Sequence, residues 1–204
     1  MSKGTLFIIS APSGAGKTSL VKALLENTDN IKVSISHTTR QPRPGEVDGV
    51  HYHFVMENDF LDMLTQNLFL EHAQIYDHYY GTSQQWLREQ LNAGTDIILE
   101  IDWQGAEQVR RLMPDAMGIF ILPPSRLALE ERLRERGKDS EEVIAKRLQG
   151  AIDEISHYVE FDYLVVNDDF EQARSDLQTI VYSQRLAQLV QSSKLERLLI
   201  ELLN

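Results

Sequence analysis

The chain has no cysteine among its 204 residues, which excludes disulfides and thiolate metal sites. Its six histidines show no clustered ligand spacing, so no structural metal is expected. No apolar run approaches the roughly eighteen residues that a membrane span requires. Met1-Ser2-Lys3-Gly4 leads straight into a strand-like run with no apolar stretch of signal-peptide type. A cytoplasmic protein without a membrane partner is therefore expected. Positive charge is scarce too: 20 Lys and Arg against 31 Asp and Glu give a formal net charge of −11. That balance disfavours non-specific nucleic-acid binding but allows a local basic pocket. What the chain does have is 42% hydrophobic residues, enough for the core of one domain with a small inserted or mobile part.

The most informative stretch follows the apolar run Leu6-Phe7-Ile8-Ile9-Ser10. It reads Ala11, Pro12, Ser13, Gly14, Ala15, Gly16, Lys17, Thr18, a phosphate-binding loop between a strand and a helix. Small residues let successive backbone N–H groups curl around a phosphate, and the helix behind them adds its positive end. Lys17 would neutralise the outer phosphates. Thr18 would offer its hydroxyl to a Mg²⁺ held mainly by nucleotide and water. The pattern usually begins with glycine, and Ala11 is the least bulky replacement.

Short β-rich runs at Thr5–Ser10, Ile97–Ile101, Gly118–Leu122 and Asp162–Val166 read as buried parallel strands. Helical periodicity covers Lys17–Glu26, Gln104–Met113, Leu127–Arg136, Ser140–Val159 and Phe170 to near the C-terminus, with Ser140 as an N-cap. The alternation predicts an α/β fold, a doubly wound parallel sheet of the P-loop nucleotide-hydrolase type. Residues 1–33, 95–125 and 152–204 would form its core. Residues 34–94 change texture, alternating around the turn-rich Pro42-Arg43-Pro44-Gly45-Glu46, and read as an inserted, partly antiparallel subdomain. Residues 126–151 carry clustered arginines and the breaker Gly137-Lys138-Asp139-Ser140, as a helical lid would. The segment Leu177–Leu203 is amphipathic enough to pack on the domain or to form a homo-oligomer interface, and periodicity does not choose between them.

With Ser36-His37-Thr38-Thr39-Arg40-Gln41-Pro42-Arg43-Pro44-Gly45-Glu46 beside the phosphate loop, the chain resembles the guanylate kinase family. The likeness continues through Tyr52-His53-Phe54, Phe69-Leu70-Glu71-His72-Ala73, Tyr79-Tyr80-Gly81-Thr82, Leu99-Glu100-Ile101-Asp102-Trp103-Gln104-Gly105, Ile119 to Pro124, and Val166-Asn167-Asp168-Asp169. The resemblance implies phosphoryl transfer from ATP to GMP, with Mg²⁺ accompanying ATP. In the acceptor site it assigns Glu71 to the guanine edge, where one carboxylate accepts from both N1–H and the N2 amino group, with Ser36 and Thr82 alongside. It assigns Arg40, Arg43, Tyr52 and Tyr80 to the GMP phosphate. Lys17, Arg40, Arg132, Arg136 and Arg147 would stabilise the moving phosphoryl, the last three from the lid. Glu100 and Asp102, on one side of a strand end, would face GMP or metal-bound water, and Asn167 and Asp168 the donor's adenine. A non-catalytic scaffold domain and a sugar-phosphate kinase are the competing readings. The retained Lys17 and lid arginines speak against the first, and the Ser36, Glu71 and Thr82 set against the second.

Overall fold

Alternating side chains of one strand set the layers of this computed structural model, which describes residues 3–75, 77–135 and 141–204. In chain order the elements begin with β1 (Leu6–Ser10), α1 (Lys17–Glu26), β2 (Ile31–Val33), β3 (His37–Thr38) and β4 (His53–Phe54). They continue with α2 (Glu57–Thr65), β5 (Phe69–Ile75), β6 (His78–Ser83), α3 (Gln84–Asn92), β7 (Asp96–Glu100), α4 (Trp103–Leu112) and β8 (Met117–Leu122). The remainder is α5 (Arg126–Glu135), α6 (Glu141–Ser156), a 3-10 turn (His157–Glu160), β9 (Tyr163–Val166), α7 (Phe170–Arg185), α8 (Gln188–Lys194) and α9 (Glu196–Leu203).

Among the described residues the central sheet has the order β2-β7-β1-β8-β9, every pairing parallel. Phe7 and Ile9 point to one face and join Leu20, Val21 and Leu24 of α1 and Ala173, Leu177 and Val181 of α7 in one core cluster. Leu6 and Ile8 point to the other and join Leu87 and Leu91 of α3 and Ala106 and Val109 of α4. With side chains covered on both faces, β1, β7 and β8 read as near-continuous apolar runs, whereas the edge strand β9 leaves Leu164 49% and Val166 48% exposed. The fully buried Phe7, Ile8 and Ile9 each contribute about 1.5–3 kcal/mol of burial.

A second sheet, β4-β3-β6-β5, is mixed: β3 pairs parallel with β4, and β6 runs antiparallel to both β3 and β5. It takes up residues 37–83 of the predicted 34–94 segment, while α3 packs on the central sheet. Gln108 of α4 joins the two sheets by clamping the backbone of His72, accepting from its N–H at 3.2 Å and donating to its carbonyl at 3.0 Å.

The predicted strands and helices are present with shifts of up to three residues, and two expectations are corrected. Strand β9, expected as a buried strand, is the last strand of the sheet and has one face open. The helix expected from Phe170 to near the C-terminus is three helices, broken where Ala187 takes extended backbone (φ −55°, ψ 140°). The Gln191 amide donates to the Arg185 carbonyl at 2.8 Å, satisfying a group that a continuing helix would have used. Beyond the break Leu189 is 82% and Leu203 85% exposed, so no core requires the helix to run on. The predicted N-cap Ser140 lies outside the described residues.

Candidate active site

The loop between β1 and α1 needs glycine at two places. Gly14 and Gly16 both have φ near +93°, a left-handed backbone that side chains rarely adopt. A Cβ on Gly16 would lie 2.4 Å from the Asn167 amide nitrogen, and one on Gly14 would lie 3.0 Å from Leu129 of α5. Ala11 has no positive φ, so the departure from glycine there carries no backbone penalty. Helix α1 starts on Gly16 with no side-chain cap and no acidic residue in its first turn. Its leading N–H groups are therefore left for an anion, whereas Asp102 caps α4 and Asp169 caps α7.

A cleft of about 370 Å³ opens beside this loop, lined by Ala11, Pro12, Ser13, Gly14, Gly16, Lys17 and Thr18 on one wall. Ser36, Tyr52, Glu71 and Tyr80 of the second-sheet region form the facing wall, and Glu100, Asp102 and Glu154 lie between. Loss of hydration pulls the Lys17 ammonium below the ordinary lysine range, opposed by the carboxylates of Glu100, Asp102 and Glu154. Burial raises Glu100 as well, countered by Lys17 and by a hydrogen bond from the Thr18 hydroxyl. Glu100 thus stands on the loop side of the cleft. Asp102 accepts from the Gly105 N–H at 2.9 Å.

Glu71 sits at the other end on β5, only 4% exposed. Thr82, fully buried on β6, donates its hydroxyl to Glu71 Oε1 at 2.5 Å. Burial pushes the Glu71 carboxyl up to about 7, with Asp102 adding to the rise and the Thr82 hydrogen bond opposing it. A Cβ on Gly105 would come within 3.1 Å of Glu71 Oε2, so α4 leaves room for this carboxylate.

Arg40 lies with Tyr52 and Tyr80: its guanidinium is 5.4 Å from the Tyr52 ring, and the two tyrosine rings are 6.0 Å apart. It is paired with Glu46 at 2.8 Å and donates to the Gln41 carbonyl at 2.8 Å. Glu46 also accepts from the Arg43 backbone N–H at 2.7 Å; the Arg40 guanidinium first, and this backbone bond second, hold its carboxyl down at about 2. The side chain of Arg43 is exposed on the turn.

On the other flank of the loop, Arg132, Asn167 and Asp168 line a separate depression with Gly14, Gly16 and Ser19. Arg132 donates to the Asn167 carbonyl at 3.0 Å, and its other terminal nitrogen is buried without a partner among the described residues. The Asn167 amide donates to the Ala15 carbonyl at 2.7 Å, so this side chain braces the loop. Arg147 is exposed on α6 and lines neither depression. Arg136 lies outside the described residues.

Sequence reasoning did not single out Glu46, Gly105, Gln108 or Glu154. Glu46 carried a local signal, a carboxylate three residues beyond Arg43 in a Pro-Gly turn. Glu154 carried none, because its partner Ser13 is 141 positions away.

The guanylate kinase family model matches residues 3–184. A guanylate kinase of Escherichia coli strain K12 is 54% identical over 205 residues, covering 100% of this chain and 99% of that protein. One from Pseudomonas fluorescens strain Pf0-1 is 58% identical over 202 residues, covering 99% and 98%. Among solved structures, guanylate kinase from Anaplasma phagocytophilum superposes with a TM-score of 0.76 at 32% identity, covering 92% of this chain and 89% of that one. With the phosphate loop and the buried carboxylate facing each other across one cleft, the chain belongs to the guanylate kinase family.

Proposed function

We propose that this cleft transfers the γ-phosphoryl group of ATP to the phosphate of GMP, yielding ADP and GDP. One observation carries the reading: a phosphate loop with Lys17 and a buried carboxylate, Glu71, line the same cleft. That arrangement suits a nucleotide tail at one end and a guanine edge at the other. Glu71, when ionised, accepts from N1–H and the N2 amino group, with Ser36 and Thr82 beside it. Adenine offers no such donor pair and would leave a buried carboxylate unpaired, a penalty large enough to select between purines.

Arg40, Arg43, Tyr52 and Tyr80 receive the GMP phosphate, two guanidinium groups and two phenols suited to a compact dianion. An oxygen of that phosphate attacks the γ-phosphorus in line. The bond to the bridging oxygen breaks, and ADP leaves with its electron pair. The attacking dianion already has lone pairs, so no side chain need act as nucleophile or base. Lys17 and the partnerless nitrogen of Arg132 meet the charge on the transferring group. Arg136 and Arg147 belong to the same proposed set, Arg147 arriving with a movement of α6. Asn167 acts beside the donor by bracing the loop, with Asp168 exposed at its edge.

The donor set fits Mg²⁺ carried in with ATP. Thr18 offers a hydroxyl, Glu100 a carboxylate beyond it, and among the described residues no group of three or more His, Cys, Asp or Glu could form a cage. When bound, the ion would be held from the protein side by Thr18 and Glu100 and would supply positive charge against the negative charge developing on the phosphates. Among the described residues no helix is long and apolar enough to cross a membrane, and charged nucleotide substrates go with work in the cytoplasm. The test is a coupled ADP-release assay with MgATP and GMP, AMP, CMP, UMP or ribose phosphates offered separately. GMP is expected to turn over far faster than the rest; equal rates, or none with GMP, would refute the reading.

A further inference from the structure

Among the cleft carboxylates without a part in the transfer just described, Asp102 caps α4, whereas Glu154 reaches the phosphate loop itself. Glu154 belongs to α6, and its Oε2 lies 3.2 Å from the backbone N–H of Ser13, in the middle of the phosphate loop. It is half-buried, lines the same cleft as Lys17 and Thr18, and acts electrostatically on the Lys17 ammonium. An N–H of a phosphate nest is thus occupied by an anion that the chain itself supplies. Helix α6 is held over the loop from both ends of this contact. Leu148 and Ala151 pack with Leu129 and Leu133 of α5, the two leucines that face Gly14. Below Glu154 the ring of His157 stacks on Trp103 at 3.6 Å between centroids, tying the foot of α6 to the start of α4.

We infer, resting on the donor role proposed for the loop, that Glu154 is a built-in rival of the donor's phosphates, seated on the Ser13 N–H until a triphosphate displaces it. Two physical consequences follow from its place. A tetra-anionic tail and a carboxylate repel each other when both approach Ser13 and Lys17, so the carboxylate lowers the affinity for the tail. Its departure also removes one of the contacts that hold α6, the helix on which Arg147 stands two turns earlier, at a spacing of seven residues that returns to the same helix face. Donor entry is therefore mechanically tied to α6. In the absence of nucleotide the same carboxylate serves as a counter-charge for Lys17, together with Glu100 and Asp102.

The experiment is calorimetric titration of wild type, Glu154→Ala and Glu154→Gln with inorganic tripolyphosphate and with MgATP, and separately with GMP. Tripolyphosphate has no base or sugar and so reports on the loop alone. Both variants are expected to bind it and MgATP about tenfold more tightly than wild type, with GMP affinity unchanged. The isosteric Gln variant and the GMP titration separate this effect from misfolding. Equal affinity in all three proteins, or weaker binding in the variants, overturns the inference and leaves the donor reading standing. Failure of wild type and both variants to bind either polyphosphate overturns the donor reading and the inference with it.

Discussion

Lys17 holds its charge between two opposing influences, the loss of water around it and the carboxylates of Glu100, Asp102 and Glu154. Methionine matches its bulk without the charge. Lys17→Met is therefore expected to keep the fold, read by circular dichroism, and to lower turnover by about 10³-fold or more. Glu71 gives a pH signature. Burial pushes its carboxyl up to about 7 against 4.5 ordinarily, and only the ionised form can accept both guanine donors. The apparent KM for GMP is expected to rise about tenfold per unit as pH falls below 7 and to be flat above it. The substrate phosphate, with its second ionisation near 6, adds a lower step. Glu71→Gln should remove the upper step and weaken the preference for GMP over AMP; a retained step or an unaltered ratio would sink the assignment. Stability shifts in the opposite direction to binding. Below 4.5 the carboxyl is protonated whether the chain is folded or not; between 4.5 and about 7 only the folded chain keeps the proton. Stability therefore falls as pH rises through that window and levels off above it, a cost on the order of 3 kcal/mol at pH 8. Wild type should lose more melting temperature than Glu71→Gln between pH 5 and pH 8.

Elements succeed or fail here by what lies at their ends. The buried Asp96, at the start of β7, accepts from the Thr5 N–H and pairs with Arg185 at the end of α7, both at 2.7 Å. Arg185→Ala would leave that charge without its partner and is expected to cost about 3 kcal/mol, or roughly 6–12 °C in melting temperature. Asp96→Asn in the same background should recover part of it. Element boundaries were legible where local chemistry dictates them. Helix α1 begins and ends where its apolar period does, Lys17–Glu26, and β1, β7, β8 and β9 announce themselves as short apolar runs rich in Ile, Val, Leu and Phe. The break at Ala187 was not legible, because no glycine or proline marks it. It arises where α7 passes the last core residue, Val181, and Gln191 folds back on Arg185. The facing walls of the cleft were legible as a set only through the family resemblance. Periodicity cannot bring Glu71 and Lys17 together across fifty-odd residues, and while an Asp ahead of a helix signals an N-cap, nothing local shows that Asp102 also lies close to Glu71.

At the scale of the molecule, two sheets share one cleft and are joined by the grip of Gln108 on His72. Gln108→Ala is expected to raise the KM for GMP severalfold while leaving that for ATP unchanged, because the donor loop belongs wholly to the central sheet. A rise in both constants would show that the two ends of the cleft are not separately mounted. The grip falls on β5, the outermost strand of the smaller sheet. Were the smaller sheet to close on the larger like a door hung on that edge, it would swing least beside the hinge, where the proposed guanine reader Glu71 sits, and more toward the far strands, where Arg40 and its turn are carried. On the proposed assignment, identity would then be checked at the still end before the swinging end brings the monoester to the triphosphate. A guanosine without its phosphate would satisfy the first check and leave the door ajar.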